Sequence, residues 1–217
     1  MVDLPSSVLG PQAFGDSFSG KVTHLGLGVE PRDSETKYEI RGTKKTIFVS
    51  FCSNFDLYKD ADRVTNVLLS AAREMEDFNF IFHVPSSFQR PVDDLANVVC
   101  ETQVPVFKIL ETAAVAVTHG GNGGVKESIF FKVPILVVPF DFDQPGNAYH
   151  VEKNGAGLVI SPREITKQNA RNSLEQLIEE PRFLSQITKL SNRMRQEDVS
   201  VPYVDELKAH IESRRNA

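Results

Sequence analysis

A chain of 217 residues with 41% hydrophobic residues is long enough to bury a substantial core in one large domain or two small ones. Its formal net charge of −5, from 29 acidic and 24 basic residues, excludes the basic surface of a nucleic-acid-binding protein, so any phosphate-bearing partner should be a small molecule. Its two cysteines, Cys52 and Cys100, do not form a C-x-x-C motif, and no apolar run is long enough to span a membrane. We therefore expect a globular, cytoplasmic protein with no disulfide framework, no zinc site and no membrane segment.

Residues 1–45 differ in pattern from the rest of the chain. Proline and glycine interrupt this stretch repeatedly, and only KVTHLGLGV at 21–29 has the pattern of a strand. A segment of this kind cannot bury a core of its own. We interpret it as a linker and last strand carried over from a preceding domain, with a second domain at 46–217.

From residue 46 onward, short apolar runs alternate with amphipathic helices. The predicted strands are 46–51, 79–84, 97–100, 114–118, 135–139 and 157–160. Because these runs are apolar on both faces, they are typical of parallel strands covered by helices. The stretch 63–75 has apolar residues at i, i+3 and i+4, which predicts a helix between the first two strands. This alternation predicts a doubly wound α/β sheet.

The C-terminal third is predicted to be helical. SPRE at 161–164 fits a capping box with Ser161 as the cap, and Thr166, three residues before Asn169, offers a second start. RFLSQITKLSNRM and YVDELKAHIE follow as two more helical stretches, separated by prolines.

The most distinctive stretch is AVAVTHGGNGGVKESIF at 114–130, a strand followed by a glycine-rich loop and a helix. In an α/β sheet, ligands bind beyond the carboxyl ends of the strands, where backbone N–H groups at a helix start can hold an anion. The alternative is that these glycines only form a tight turn. A dinucleotide fingerprint is excluded because Lys126 stands where its third glycine should be, and no Gly-Lys-Ser/Thr of a P-loop occurs.

A second polar loop, PFDFDQPGNAYHV at 139–151, follows the next predicted strand. Asp141 and Asp143 have the spacing of a metal-binding D-x-D pair. Two acids so spaced are common by chance, and Asp143 with Gln144 better suits a polyhydroxylated ligand, because the pair offers acceptors and a donor side by side. We therefore expect no metal here.

Taken together, VTHGGNGGVKESIFFKVPILVVPFDFDQPGNAYHVEKNGAGLVI at 117–160 resembles the donor-binding signature of UDP-glycosyltransferases. The family pattern is roughly T-H-G-G-x-N-S/G-x-x-E-A, then G-V-P, P-x-x-x-D-Q-x-x-N-A and G-x-G. The resemblance implies the Rossmann-like C-terminal half of a GT-B glycosyltransferase, which binds a UDP-sugar or another nucleotide-diphosphate sugar. It also implies an inverting transfer whose catalytic base and acceptor pocket lie in an N-terminal acceptor domain, so no catalytic residue is expected in this chain.

The resemblance further implies a role for each matching residue. His119 and the backbone of the following loop would hold the diphosphate, with Ser53 facing it; the loop residues are Gly120, Gly121, Asn122, Gly123 and Gly124. Glu127 would bind the ribose hydroxyls, and Asp143 and Gln144 would hold the sugar.

Three positions depart from the family pattern. Gln103 and Val106 stand where the family has a base-stacking tryptophan and a glutamine, Gly123 stands where it has asparagine, and Cys52 replaces a glycine. Stacking of a base on an aromatic residue contributes about 1–3 kcal/mol to binding. The missing tryptophan therefore affects which base the chain would bind.

Three hypotheses follow. The chain is the donor-binding part of a glycosyltransferase that turns over poorly or not at all alone, or a natural half-enzyme completed by a separate acceptor chain. The third hypothesis is a non-catalytic binding or scaffold domain with a degenerate donor site.

Overall fold

A computed structural model of the chain describes residues 44–89, 95–200 and 211–213, without the side chains of 52–54 and 197–200. All but the last two residues of the predicted linker, including its strand at 21–29, lie outside the described residues, as does most of the last predicted helix. The division of the chain at residue 45 therefore stays a prediction.

Six parallel strands form one sheet in the order β3-β2-β1-β4-β5-β6. The strands are β1 (Thr46–Ser50), β2 (Asn79–His83), β3 (Val98–Glu101), β4 (Ala113–Thr118), β5 (Ile135–Val137) and β6 (Gly157–Val159). All six predicted strands are present, with bounds that differ by one or two residues. The predicted doubly wound sheet is thus confirmed.

Helices connect the strands and cover both faces of the sheet. They are α1 (Ala61–Glu74), α2 (Val106–Leu110), α3 (Asn122–Phe130), α4 (Gln144–Lys153), α5 (Lys167–Glu179) and α6 (Pro181–Ser200), with a 3₁₀ helix at Cys52–Leu57. The predicted start at Ser161 is wrong, because 161–164 forms only a turn closed by the Glu164 N–H on the Ser161 carbonyl. The second predicted start is correct: Thr166 caps α5 in a reciprocal capping box with Asn169.

The core lies on both faces of the sheet, as the sequence pattern requires. Ile47 and Val49 point into the larger cluster, beneath α1 and α5, whereas Phe48 joins a cluster with Ile109 of α2 on the opposite face. These three β1 side chains are at most 4% exposed. Burial of a large apolar side chain stabilises by about 1.5–3 kcal/mol. Side chains on both faces of β1 therefore contribute to holding this strand in the sheet.

The strand order reverses between β1 and β4, which are neighbours in the sheet. Their carboxyl ends therefore leave a crevice, flanked by the loop after β1 and the loop after β4, where doubly wound proteins bind ligands. The loop after β5 lies next along the same edge. No helix in the described part of the chain is long and apolar enough to cross a membrane.

Candidate functional site

The β4–α3 loop, residues 119–121, connects Thr118 at the end of β4 to Asn122 at the start of α3. Gly120 has φ +86°, and a β-carbon there would lie 2.7 Å from Val137 Cγ1. Its N–H donates to Thr118 Oγ1 at 3.3 Å. The tight-turn alternative therefore explains Gly120, since only glycine adopts this backbone without strain and without a clash.

Two further glycines of this stretch are not needed by the turn. A β-carbon at Gly123 would meet nothing within 4 Å, so the first turn of α3 faces open space at this point. Gly121 is the N-cap of α3 and forms no side-chain cap bond. The N-terminus of α3 thus leaves backbone N–H groups and the positive end of the helix dipole available to an anion.

His119 lies directly over this helix start. A β-carbon at Gly121 would come within 2.4 Å of His119 Nε2, so glycine allows the ring to approach the backbone. His119 Nδ1 is buried without a hydrogen-bond partner, although the backbone of Ser50 is close enough to favour the protonated ring. Burial lowers the pKa of His119, and the Asp143 carboxylate and the Ser50 backbone oppose this shift. The ring is therefore neutral at pH 7, and Nε2, the ring nitrogen that lies against Gly121, is the one that a ligand at the start of α3 would meet.

Asn147 joins the β4–α3 loop to the β5–α4 loop, residues 138–143. Its amide, only 8% exposed, donates to the Gly120 carbonyl at 2.8 Å and to Asp143 Oδ2 at 2.9 Å. This bridge holds the exposed Asp143 carboxylate beside the loop of His119. The sequence pattern contained Asn147, but only as part of the family signature.

Gln144 is 2% exposed, and both ends of its amide are bonded within the chain. Oε1 accepts from the N–H groups of Phe140 and Asp141 at 2.8 and 3.1 Å, and Nε2 donates to the Tyr58 hydroxyl at 2.7 Å. Gln144 therefore shapes the β5–α4 loop in this arrangement, and its predicted contact with a sugar stays a prediction.

Tyr58 is a site residue that sequence reasoning missed. Its ring stacks on Phe140 with centroids 4.8 Å apart and lies 5.9 Å from the His119 ring. It follows the 3₁₀ helix after β1 and so joins the loops after β1 and β5 around His119. No local pattern marks it, because its partners lie far away in the chain.

Ser50 and His83 form a second pair that sequence reasoning missed, at the carboxyl ends of β1 and β2. Ser50 Oγ lies 3.1 Å from His83 Nδ1, and register places Ser50 opposite both His83 and Thr118. Burial lowers the pKa of His83, while a hydrogen bond with the Thr102 backbone opposes the shift. The sequence did contain an indication of this pair, because each of these apolar strands ends in a polar residue.

The remaining predicted site residues lie along the same edge. Glu127 is half-buried in α3, Gln103 is exposed after β3, and Val106 is half-buried at the start of α2. Ser53 lies in the 3₁₀ helix after β1, and its side chain is outside the described residues.

Asp141 and Asp143, the D-x-D pair, bind groups of their own loop and helix. Asp141 Oδ1 accepts from the Phe142 N–H at 2.8 Å, and Asp143 Oδ2 accepts from Asn147. Within the described ranges, no group of three or more potential metal ligands comes together.

Comparisons with known proteins agree with this architecture. A family model described as "Erythromycin biosynthesis protein CIII-like, C-terminal domain" matches residues 66–213. The uncharacterized UDP-glucosyltransferase YdhE of Bacillus subtilis is 26% identical over 195 residues, covering 85% of this chain and 47% of that protein. The putative UDP-glucuronosyltransferase ugt-50 of Caenorhabditis elegans is 24% identical over 191 residues, covering 82% of this chain and 36% of that protein.

Solved structures show the same fold. The spinosyn rhamnosyltransferase SpnG complexed with thymidine diphosphate has a TM-score of 0.72 at 20% identity, covering 96% of this chain and 55% of that chain. The chain thus spans about half the length, or less, of the relatives it matches.

Proposed function

Since this chain belongs to the family of erythromycin biosynthesis protein CIII-like C-terminal domains and has the fold of the C-terminal half of GT-B glycosyltransferases, we propose that it binds a nucleotide-sugar donor for glycosyl transfer. The observation that carries this proposal is the open N-terminus of α3 beneath His119, at the point where the strand order reverses. An anion bound there would accept hydrogen bonds from the first turn of α3 and from His119 Nε2, which lies against Gly121.

The diphosphate binds at this helix start. Backbone N–H groups of the first turn donate to its oxygens, and the open space at Gly123 lets the phosphate approach the backbone. His119 donates to a phosphate oxygen, and the negative charge of the diphosphate raises the pKa of the ring on binding. The family resemblance implies that Ser53, in the loop after β1, contacts the same phosphates.

The nucleoside extends from the diphosphate toward β3. Since β3 is three strand positions from β4, the two loops are about 14 Å apart at the usual strand spacing, a distance suited to an extended nucleoside diphosphate. Glu127 binds the ribose hydroxyls, and Gln103 and Val106 line the base. The names of the relatives include both UDP and thymidine diphosphate, so we propose a pyrimidine nucleotide, UDP or dTDP.

The sugar lies at the β5–α4 loop, where Asp143 accepts hydrogen bonds from its hydroxyls, with Gln144 supporting the loop. Inverting transfer to an acceptor hydroxyl then needs a general base, worth about 10²–10⁴ in rate, from an N-terminal acceptor domain supplied in cis or in trans. The chain alone binds the donor with little or no turnover. We place this activity in the cytoplasm.

A second candidate is a non-catalytic binding domain with a degenerate donor site. The observation in its favour is the base end of the site, where Gln103 is exposed and Val106 half-buried in place of an aromatic ring and a glutamine. Loss of stacking worth about 1–3 kcal/mol would weaken nucleotide binding by roughly 5- to 150-fold.

Thermal unfolding with a panel of nucleotides tests the proposal. A ligand at 100 times its Kd stabilises by about 2.7 kcal/mol, which raises the Tm of a protein of this size by about 5–10 °C. We expect UDP, dTDP and their glucose conjugates to raise the Tm, and NAD to leave it unchanged. His119→Ala should reduce the shift, whereas His150→Ala, a half-buried histidine in the last turn of α4, should preserve it.

The outcomes separate the hypotheses. If no nucleoside diphosphate shifts the Tm at millimolar concentration, donor binding is wrong and the scaffold alternative stands. A shift that survives His119→Ala unchanged would remove His119 from the site while keeping the ligand.

A further inference from the structure

Among the described residues, only Lys132 and Phe142 combine a side chain with a positive φ, of 61° and 59°. The left-handed region is unfavourable for residues with a β-carbon, and most of all for bulky ones. Lys132 lies in the turn after α3, far from the carboxyl edge of the sheet. Phe142 lies in the β5–α4 loop, next to Asp143, where strain is more often connected with function.

The backbone on both sides of Phe142 is held in place by hydrogen bonds. Gln144 Oε1 accepts from the N–H groups of Phe140 and Asp141, and the Asp143 carbonyl accepts from the Asn147 N–H at 3.0 Å. The Phe142 N–H itself donates to Asp141 Oδ1 at 2.8 Å. The left-handed conformation is therefore imposed by the surrounding bonds, which glycine at this position would satisfy without strain.

The Phe142 ring is nevertheless 71% exposed. By contrast, the ring of Phe140, two residues earlier in the same loop, is packed: it stacks on Tyr58 and contacts Phe51 edge-on. Within the part of the chain that the structure describes, Phe142 belongs to neither the core clusters nor a ring pair. Packing among the described residues therefore does not account for a phenylalanine at 142.

The order of the loops along the sheet edge indicates what Phe142 contacts. The proposed base end lies at β3, the diphosphate at β1 and β4, and β5 comes next beyond β4. A nucleotide sugar has its parts in this same order, so the sugar lies at the loop that contains Phe142. A pyranose has an apolar C–H face and a hydroxyl-bearing edge, which suit an aromatic ring and an adjacent carboxylate respectively.

We propose that Phe142 is a specificity-determining residue whose ring packs on the apolar face of the donor's sugar, beside Asp143. This assignment rests on the proposed function and adds to it a residue that contacts the apolar face of the sugar. The bound sugar covers the exposed ring, so the strained backbone at 142 is retained for binding the sugar.

Titration calorimetry on the full chain tests this assignment with three variants. The quantity to compare is the Kd of UDP or dTDP divided by the Kd of the corresponding nucleotide glucose, which isolates the contribution of the sugar. We expect Phe142→Gly to lower this ratio by about fivefold, the fold-change of a lost aromatic contact, with the nucleoside diphosphate affinity unchanged. Phe142→Tyr keeps a ring and should keep the ratio.

Lys132→Gly is the matched control, because it makes the same backbone change at the other positive-φ residue. It should leave the ratio unchanged, and its Tm should move with that of Phe142→Gly, since both relieve left-handed strain and both add glycine flexibility to the unfolded chain.

Three results would overturn the assignment. The first is a ratio that stays unchanged in Phe142→Gly, which is also the result expected if the ring contacts an acceptor domain. The second is a Tm of Phe142→Gly several degrees below that of Lys132→Gly, which would give the ring a structural role. The third is a wild-type chain that binds neither nucleoside diphosphate, which refutes the proposed function itself and is thereby distinguishable from the other two.

Discussion

Replacing Gln144 with leucine should destabilise the protein by about 2–3 kcal/mol. Leucine removes three hydrogen bonds, two accepted by Oε1 from the loop backbone and one donated by Nε2 to the Tyr58 hydroxyl. Each such bond contributes about 1 kcal/mol net, and a buried polar group left unpaired costs about 1–3 kcal/mol. For a domain of this size, the loss corresponds to a fall in Tm of about 4–12 °C.

Urea unfolding of the wild type, Gln144→Leu, Tyr58→Phe and the double variant measures this effect. Tyr58→Phe removes a single hydrogen bond and should cost about 1 kcal/mol. Because the two residues are directly bonded, the double variant should be more stable than the sum of the single effects predicts, by about 0.5–1 kcal/mol. An unchanged stability in Gln144→Leu, with only sugar binding lost, would refute the reasoning and return the side chain to the ligand.

The other predictions concern the histidine, the glycines and the loop bridge. Because burial lowers the pKa of His119, its contribution to stability should be complete above about pH 6.5 and lost as the pH falls through the lowered value. Urea unfolding at pH 5 and 7.5 should therefore show a smaller difference in the free energy of unfolding between the two pH values for His119→Gln than for the wild type. Gly123→Ala should leave the free energy of unfolding unchanged or raise it by up to about 1 kcal/mol, through helix propensity, while weakening UDP and dTDP binding in calorimetry. Gly157→Ala should yield no folded protein by circular dichroism, since its β-carbon would lie 2.0 Å from the Ile135 carbonyl oxygen. Asn147→Ala should lower the free energy of unfolding by about 2 kcal/mol and weaken nucleotide-sugar binding, because two loops lose their bridge.

The sheet was predictable from sequence because its strands are apolar on both faces. Such runs identify buried parallel strands without any knowledge of their partners, and the alternating helices then predict the doubly wound arrangement. The start of α5 was less certain, since Ser161 and Thr166 carry similar local signals. Thr166 is the cap because its hydroxyl and the Asn169 side chain bond reciprocally, whereas the residues after Ser161 form a turn.

Part of the candidate site was predictable for a related reason. The carboxyl ends of parallel strands share one edge, so polar loops after the fourth and fifth strands had to lie on the same edge of the sheet. The contacts that hold these loops together were not predictable. Tyr58 and Gln144 are 86 residues apart, and no periodicity connects them. The left-handed conformation of Phe142 runs against the preference of its own residue type, so no local pattern could have indicated it.

Nuclear magnetic resonance of the ¹⁵N-labelled chain during titration with UDP and dTDP tests donor binding most directly, because it reports where the ligand binds. The backbone amides of 119–124 should show the largest shift changes, followed by those of the loop after β1, and adding glucose to the nucleotide should extend the changes to the β5–α4 loop. Shift changes confined to other parts of the chain, or none at millimolar ligand, would contradict the proposal that the start of α3 holds the diphosphate of a nucleotide sugar.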